Sequence, residues 1–127
     1  MAGMTIAGQK ASLDWFVTQY PFIALCTSAP TDTAAGTEAT YTGYARKQTV
    51  TADWAPATDA VPSVKANTTT LAWPQCTAGS ATCTHVEFWS AATGGVRGGW
   101  GAMAQPLAVS AGIAPQAAPG IIQVTQD

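Results

Sequence analysis

The side chains that could do nucleophilic or metal chemistry are few, and they form no recognisable motif. The single histidine, His85, has no Gly-x-Ser-x-Gly nucleophile elbow in the chain to act with. Cys76 and Cys83 lack the short paired spacing of a metal site, and there is no second histidine to join them. The only two glutamates, Glu38 and Glu87, lie in Thr-rich segments with no evident partner for acid–base work. We therefore expect a protein that is not an enzyme and has no catalytic, metal or cofactor site.

The cysteines permit two alternatives. The chain has three cysteines, so at least one is unpaired within it. Cys76 and Cys83 flank the segment 77–82, which is typical of a tight connection, and a disulfide could join the two if their Cα atoms come within about 7 Å. In a reducing compartment both would instead be free thiols. The sequence leaves both alternatives open.

The composition indicates a folded module with a nearly neutral surface. Only 9 % of the 127 residues are charged, whereas a typical soluble domain is about a quarter charged. The five basic residues are spread along the chain, which argues against nucleic acid as a partner. No apolar stretch approaches the roughly 20 residues of a membrane span, and no secretory signal is visible. A surface rich in Thr, Ser and Ala favours contact with other proteins, because few hydrated charges must be stripped from it.

The hydrophobic pattern predicts one short helix followed by a β domain. Residues 9–18 place Leu13, Phe16 and Val17 on one helical face, and Pro21 ends the segment, although an extended arm is the alternative. Beyond it, turn signals every 8 to 12 residues predict an all-β fold, an antiparallel β-sandwich. We expect an N-terminal arm or short helix over 1–20 and a β-sandwich domain over 21–127. The predicted strands are 22–27, 40–50, 67–73, 84–89, 96–103, 107–109 and 121–125.

Several turn motifs resemble a family of small tailed-phage virion proteins. The first half carries Pro21-Phe22-Ile23-Ala24-Leu25, Ala29-Pro30-Thr31-Asp32 and Gly43-Tyr44-Ala45-Arg46. The second half carries Thr84-His85-Val86-Glu87-Phe88-Trp89, Gly94-Gly95 and Trp100-Gly101-Ala102. Proteins of this family are often labelled tail fibre proteins, and their relatives include capsid decoration (cement) proteins. The resemblance implies a jelly-roll-like sandwich, commonly trimeric, without catalytic residues.

The leading hypothesis is a phage capsid decoration protein. It would bind the outer head surface as a homotrimer, with the major capsid protein as partner and no nucleic acid or membrane involved. It would be made in the bacterial cytoplasm and end on the exterior of the virion. The residues expected at capsid or inter-subunit contacts are Trp15, Phe16, Tyr20, Trp54 and Trp100.

The alternative hypothesis is a tail fibre or tail-tip component that binds a glycan on the host surface. Trp54 or Trp100 would then stack on a sugar ring, because an indole combines an apolar face with a polar edge. The long repeats and coiled-coil stalks that usually accompany tail fibres are not seen in this sequence.

Overall fold

The fold is β-rich, and its strands pair antiparallel in every sheet of the described chain. A computed structural model describes residues 3–125, so the predicted segments 1–20 and 21–127 each extend two residues outside that range. The elements are α1 (Ile6–Gln19), β1 (Phe22–Cys26), β2 (Lys47–Gln48), a 3₁₀ turn (Thr51–Asp53), β3 (Val64–Ala66), β4 (Leu71–Ala72), β5 (Ser80–Trp89), β6 (Arg97–Ser110), β7 (Gln116–Ala117) and β8 (Gln123–Thr125). The antiparallel β fold with one short N-terminal helix is the fold class that the sequence predicts.

The N-terminal segment is a helix and not an extended arm. It begins three residues earlier than predicted, because the Thr5 side chain accepts a hydrogen bond from the Gly8 N–H at 3.1 Å and caps the first turn. It ends at Gln19, just before Pro21. Leu13 and Val17 are buried beneath it.

Polar contacts hold the helix in place beside β3. The Ser63 N–H donates to Gln9 Oε1 at 2.9 Å, and both residues are buried. Lys65 Nζ lies 2.8 Å from Asp14 Oδ1. Because a buried N–H without an acceptor is costly, the Gln9–Ser63 bond fixes the helix against the β domain.

The main sheet has the strand order β2-β1-β5-β6. β1 is a central strand, and residues 23–26 are fully buried. The predicted turn at Gly94 and Gly95 joins β5 to β6, and both glycines have positive φ, at 62° and 81°. This long β5–β6 hairpin supplies two of the four strands of the main sheet.

The second layer consists of two short ribbons, β3–β8 and β4–β7. Together with the main sheet they enclose a core to which Ile23, Leu71 and Phe88 contribute. Trp73 lies inside it and donates its Nε1–H to the Ile23 carbonyl at 3.0 Å. The arrangement is sandwich-like, with two ribbons in place of one continuous second sheet over residues 3–125.

Several strand predictions differ from the structure. The predicted strand 67–73 shortens to Leu71–Ala72, and β3 and β7 lie where no strand is predicted. Within 40–50 only Lys47–Gln48 is a strand, because Gly43 adopts a φ of +98° and turns the chain out of the extended region. The predicted strands 96–103 and 107–109 instead form the single strand β6. Pro106 is tolerated there because β6 is at the edge of the sheet, where an outward-facing N–H is not needed for pairing.

Candidate functional site

A cleft of about 750 Å³ lies between α1 and the start of β6. Trp15 and Phe16 line it from the helix, and Trp100 and Asp32 line it from the sheet side. Its size falls within the range of ordinary ligand sites. Three of the five aromatic residues expected at protein contacts, Trp15, Phe16 and Trp100, therefore line this cleft.

Glycines at the start of β6 let the helix approach the sheet closely. The β5–β6 register shifts between Phe88 and Trp89, which marks a bulge at Gly98. A Cβ atom at Gly98 would lie 2.3 Å from the Tyr20 ring, and one at Gly99 would lie 2.8 Å from Phe16 Cζ. The two aromatic rings thus occupy the space that side chains on β6 would need.

The aromatic side chains of the helix form one packed group. The Phe16 ring lies between Tyr20 and Phe88, with centroid distances of 5.1 and 5.5 Å. Trp15 meets Tyr20 edge-on at 6.1 Å and keeps 57 % of its surface exposed. Trp15, Phe16 and Tyr20 are therefore brought together, but only Trp15 offers a largely free ring.

Trp100 forms the opposite side of the cleft and is 40 % exposed. Its Nε1–H donates to Asp32 Oδ1 at 2.9 Å. The His85 ring lies 6.4 Å away on the neighbouring strand. The bond to Asp32 orients the indole while leaving part of its surface available for contact.

Trp54 is placed in the core and not on the surface. It is 6 % exposed, its Nε1–H donates to Thr49 Oγ1 at 3.2 Å, and its ring lies 6.3 Å from Phe88. Stacking on a sugar or on a partner protein needs an open ring face, and the Trp54 indole has none to offer. Of the two tryptophans considered for glycan stacking, only Trp100 reaches the cleft.

All three cysteines are free, buried thiols. The Cys76 Sγ–H donates to the Ala78 carbonyl at 3.3 Å. Burial raises the pKa of the Cys83 thiol. Burial also raises the pKa of the Cys26 thiol, and the nearby Glu87 and Glu38 carboxylates add to this effect. Of the two alternatives for Cys76 and Cys83, the structure has the free thiols.

The two glutamates have partners that sequence spacing does not reveal. Glu87 is 1 % exposed and accepts hydrogen bonds from the Gly36 N–H at 2.9 Å and from Trp89 Nε1 at 3.2 Å. Arg97 Nη1 lies 3.5 Å from Glu87 Oε2. The sequence missed this arrangement because Arg97 and Gly36 are 10 and 51 residues away from Glu87 along the chain, without a motif that links them to it.

Glu38 also accepts several hydrogen bonds, on the same side of the sheet. Arg46 contacts both oxygens of Glu38 at 3.1 Å, and the Tyr44 hydroxyl donates to Glu38 Oε2. The Arg46 guanidinium also lies over the Trp89 ring, 4.2 Å from its centroid. Burial, together with the bond to Glu38, raises the pKa of the Tyr44 hydroxyl. Both glutamates are thus engaged in contacts that hold the fold together.

The described part of the chain contains no helix that is long and apolar enough to cross a membrane. Within the same residues, no three His, Cys, Asp or Glu side chains come together as a potential metal-ligand group.

Comparison with known proteins gives one family. The chain matches the family described as "Podophage GP4 fiber I protein gp80" over residues 8–125. No curated protein matches it significantly. The match begins in α1 and ends at the last residue of β8, so it includes the cleft and both layers of the fold. Because it extends over nearly all of the 127 residues, the chain belongs to this podophage fibre family of phage virion structural proteins.

Proposed function

We infer that this chain is a non-enzymatic structural subunit of a fibre on the phage particle and is held there by contacts with other protein chains. The family match, whose description is that of a fibre protein, favours a fibre over the head shell. A homotrimer is the proposed assembly state, since the related virion proteins that the sequence resembles are commonly trimeric.

The observation that carries this proposal is that most basic side chains pair with acidic side chains of the same chain. Four of the five basic residues form ion pairs within the chain: Lys10, Arg46, Lys65 and Arg97. Two of these pairs, Arg46–Glu38 and Arg97–Glu87, lie largely out of water. The exposed residues are mainly Thr and Ala, which a partner protein covers without removing many hydrated charges.

Localisation on the particle tests the proposal. Gold-labelled antibody against this chain, viewed by electron microscopy of intact virions, should decorate fibres that project from the particle. Label distributed over the head shell would overturn the fibre proposal and support capsid decoration. Light scattering of the purified protein should give three times the 13.0 kDa chain mass, and a stable monomer would contradict the trimer.

A further inference from the structure

Two strand edges in this fold lack a pairing partner and border the same groove. In the described chain, residues 3–125, β6 is the last strand of the main sheet and pairs only with β5, while β8 pairs only with β3. Within residues 3–125, no backbone hydrogen bond connects β6 with β8. Each of these strands therefore has one edge of N–H and C=O groups that no neighbouring strand satisfies.

Two adjoining cavities form the groove between these edges. The 750 Å³ cleft is lined by Gly98–Gly101 on one side and by Gln123–Thr125 on the other. A second cavity of about 360 Å³ is lined by Ala102–Ala104 and by the segment that leads into β8. Gln123 borders both cavities, so they adjoin at this residue. Together the two cavities are lined by β6 residues from Gly98 to Ala104.

Between Gly99 and Ala102 the β6 edge also lacks the usual protection. Natural edge strands are commonly shielded by charged side chains, prolines or bulges. β6 has one bulge at Gly98 and a second register irregularity over residues 103–106, which includes Pro106, and no residue between these two irregularities is charged. The one charged side chain on this strand, Arg97, is directed to Glu87 and the Thr31 carbonyl. An unprotected edge of this length is expected where another chain covers it in the assembled state.

We propose that this groove receives one extended, uncharged strand from another chain of the virion, which pairs with β6 on one side and β8 on the other. Such a strand supplies alternating N–H and C=O groups to both walls, which a sugar or a helix does not. The resulting sheet has the order β2-β1-β5-β6-strand-β8-β3 and joins the main sheet to the β3–β8 ribbon. That the donor is a virion chain rests on the proposed function.

The side chains of the groove define the inserted strand further. A Cβ atom at Gly101 would meet nothing within 4 Å, so space is open above the backbone there. The small side chains of Ala102 and Ala104 line the smaller cavity, and Trp15 and Trp100 line the larger cavity. Small or apolar side chains on the donor strand fit this lining, with an aromatic or aliphatic group between the two indoles.

A pair of matched variants tests the groove in the whole particle. Gly101→Trp fills the open space, whereas Ala108→Trp adds the same bulk to an exposed position on β6 outside both cavities. Both purified variants should keep the wild-type circular dichroism and melting temperature. Incorporation into particles, measured by quantitative mass spectrometry, should fall at least tenfold for Gly101→Trp and stay at the wild-type level for Ala108→Trp. Equal incorporation of the two overturns the proposal.

Hydrogen–deuterium exchange of the wild-type chain gives a second measurement that does not depend on a variant. Amides in Gly98–Ala104 and Gln123–Thr125 should exchange at least tenfold more slowly in the particle than in the free subunit. Unchanged exchange at these amides overturns strand insertion even if the antibody label confirms the fibre.

Normal incorporation of Gly101→Trp with loss of adsorption to host cells would identify the cleft as a sugar site and overturn the strand. Label on the head shell together with amide protection would reject the fibre and retain the groove.

Discussion

Glu87 and Arg97 form an ion pair across the β5–β6 hairpin, with Arg97 Nη1 3.5 Å from Glu87 Oε2. The Glu87 side chain is 1 % exposed and that of Arg97 is 12 % exposed, so the pair lies out of water. Glu87 also accepts from the Gly36 N–H, which ties the segment 28–37 to the sheet. A buried charge of this kind is tolerated only while its partner is present.

Glu87→Gln should therefore be strongly destabilising. The variant leaves the Arg97 guanidinium buried without its counter-charge, and loss of one partner of a buried pair costs about 3–5 kcal/mol. The free energy of unfolding in urea measures the loss. Asp59→Asn is the matched control, because the Lys10–Asp59 pair is at the surface and is worth about 0–1 kcal/mol. Similar losses in both variants would contradict the structural role given to Glu87.

Alanine substitutions at the glycines of β6 should distinguish the positions that pack against the helix from the position that faces the open groove. Gly99→Ala places a Cβ atom 2.8 Å from Phe16, and overpacking of this kind costs about 1–3 kcal/mol. Gly98→Ala should be at least as harmful, because the added atom meets the Tyr20 ring. Gly101→Ala should be neutral or slightly stabilising, since its Cβ has free space. Thermal melting of the three variants checks this order, and a loss for Gly101→Ala equal to that for Gly99→Ala would refute it.

Truncations in α1 should show that the helix is part of the fold. Leu13 is 2 % exposed, and Leu13→Ala should lower the free energy of unfolding by about 2–5 kcal/mol through lost contacts and a cavity. Trp15→Ala removes a larger side chain from the same helix, but that side chain is 57 % exposed and its edge-on contact with Tyr20 is worth about 0.5–1.5 kcal/mol, so the loss should be smaller than for Leu13→Ala. Denaturant titration of the two variants measures both values. A harmless Leu13→Ala would mean that the helix is detached from the β domain.

Stability should fall in alkaline solution. Burial, with help from Glu87 and Glu38, raises the pKa of the Cys26 thiol above the ordinary value of 9.0. The unfolded chain ionises this thiol above pH 9 while the folded chain keeps it protonated, so the stabilisation is complete below pH 9 and is lost as the pH rises further. Each such group lowers the free energy of unfolding by up to about 1.4 kcal/mol per pH unit.

Urea midpoints of the wild type and of Cys26→Ala at pH 8, 9.5 and 10.5 test the contribution of this thiol. The free energy of unfolding of Cys26→Ala should fall less steeply with pH than that of the wild type, because about one proton fewer is released on unfolding. This difference in slope does not depend on how stable the variant is at pH 8. Some dependence should remain, because burial also raises the pKa values of Cys83 and Tyr44. Identical slopes for the two proteins would remove Cys26 as a cause of alkaline unfolding.

Local features of the fold were predictable because neighbouring residues determine them. Pro21 ends the helix, and Gly94 and Gly95 supply the positive φ angles of the β5–β6 turn. The alternation in 84–89 correctly places Val86 and Phe88 on one buried face. The same alternation puts Glu87 on the other face, which the sequence cannot identify as buried because its covering segment lies about 50 residues earlier.

The sequence by itself determined a nearly neutral, antiparallel β module with one N-terminal helix and with phage virion motifs, because composition, turn residues and periodicity act locally. The tertiary structure alone decided which tryptophans are accessible, burying Trp54 in the core and leaving Trp15 and Trp100 at the cleft. Within residues 3–125 it also brought β6 and β8 to the same cleft without pairing them, which creates the groove. Burial and strand pairing depend on contacts between distant parts of the chain, and no single segment carries that information.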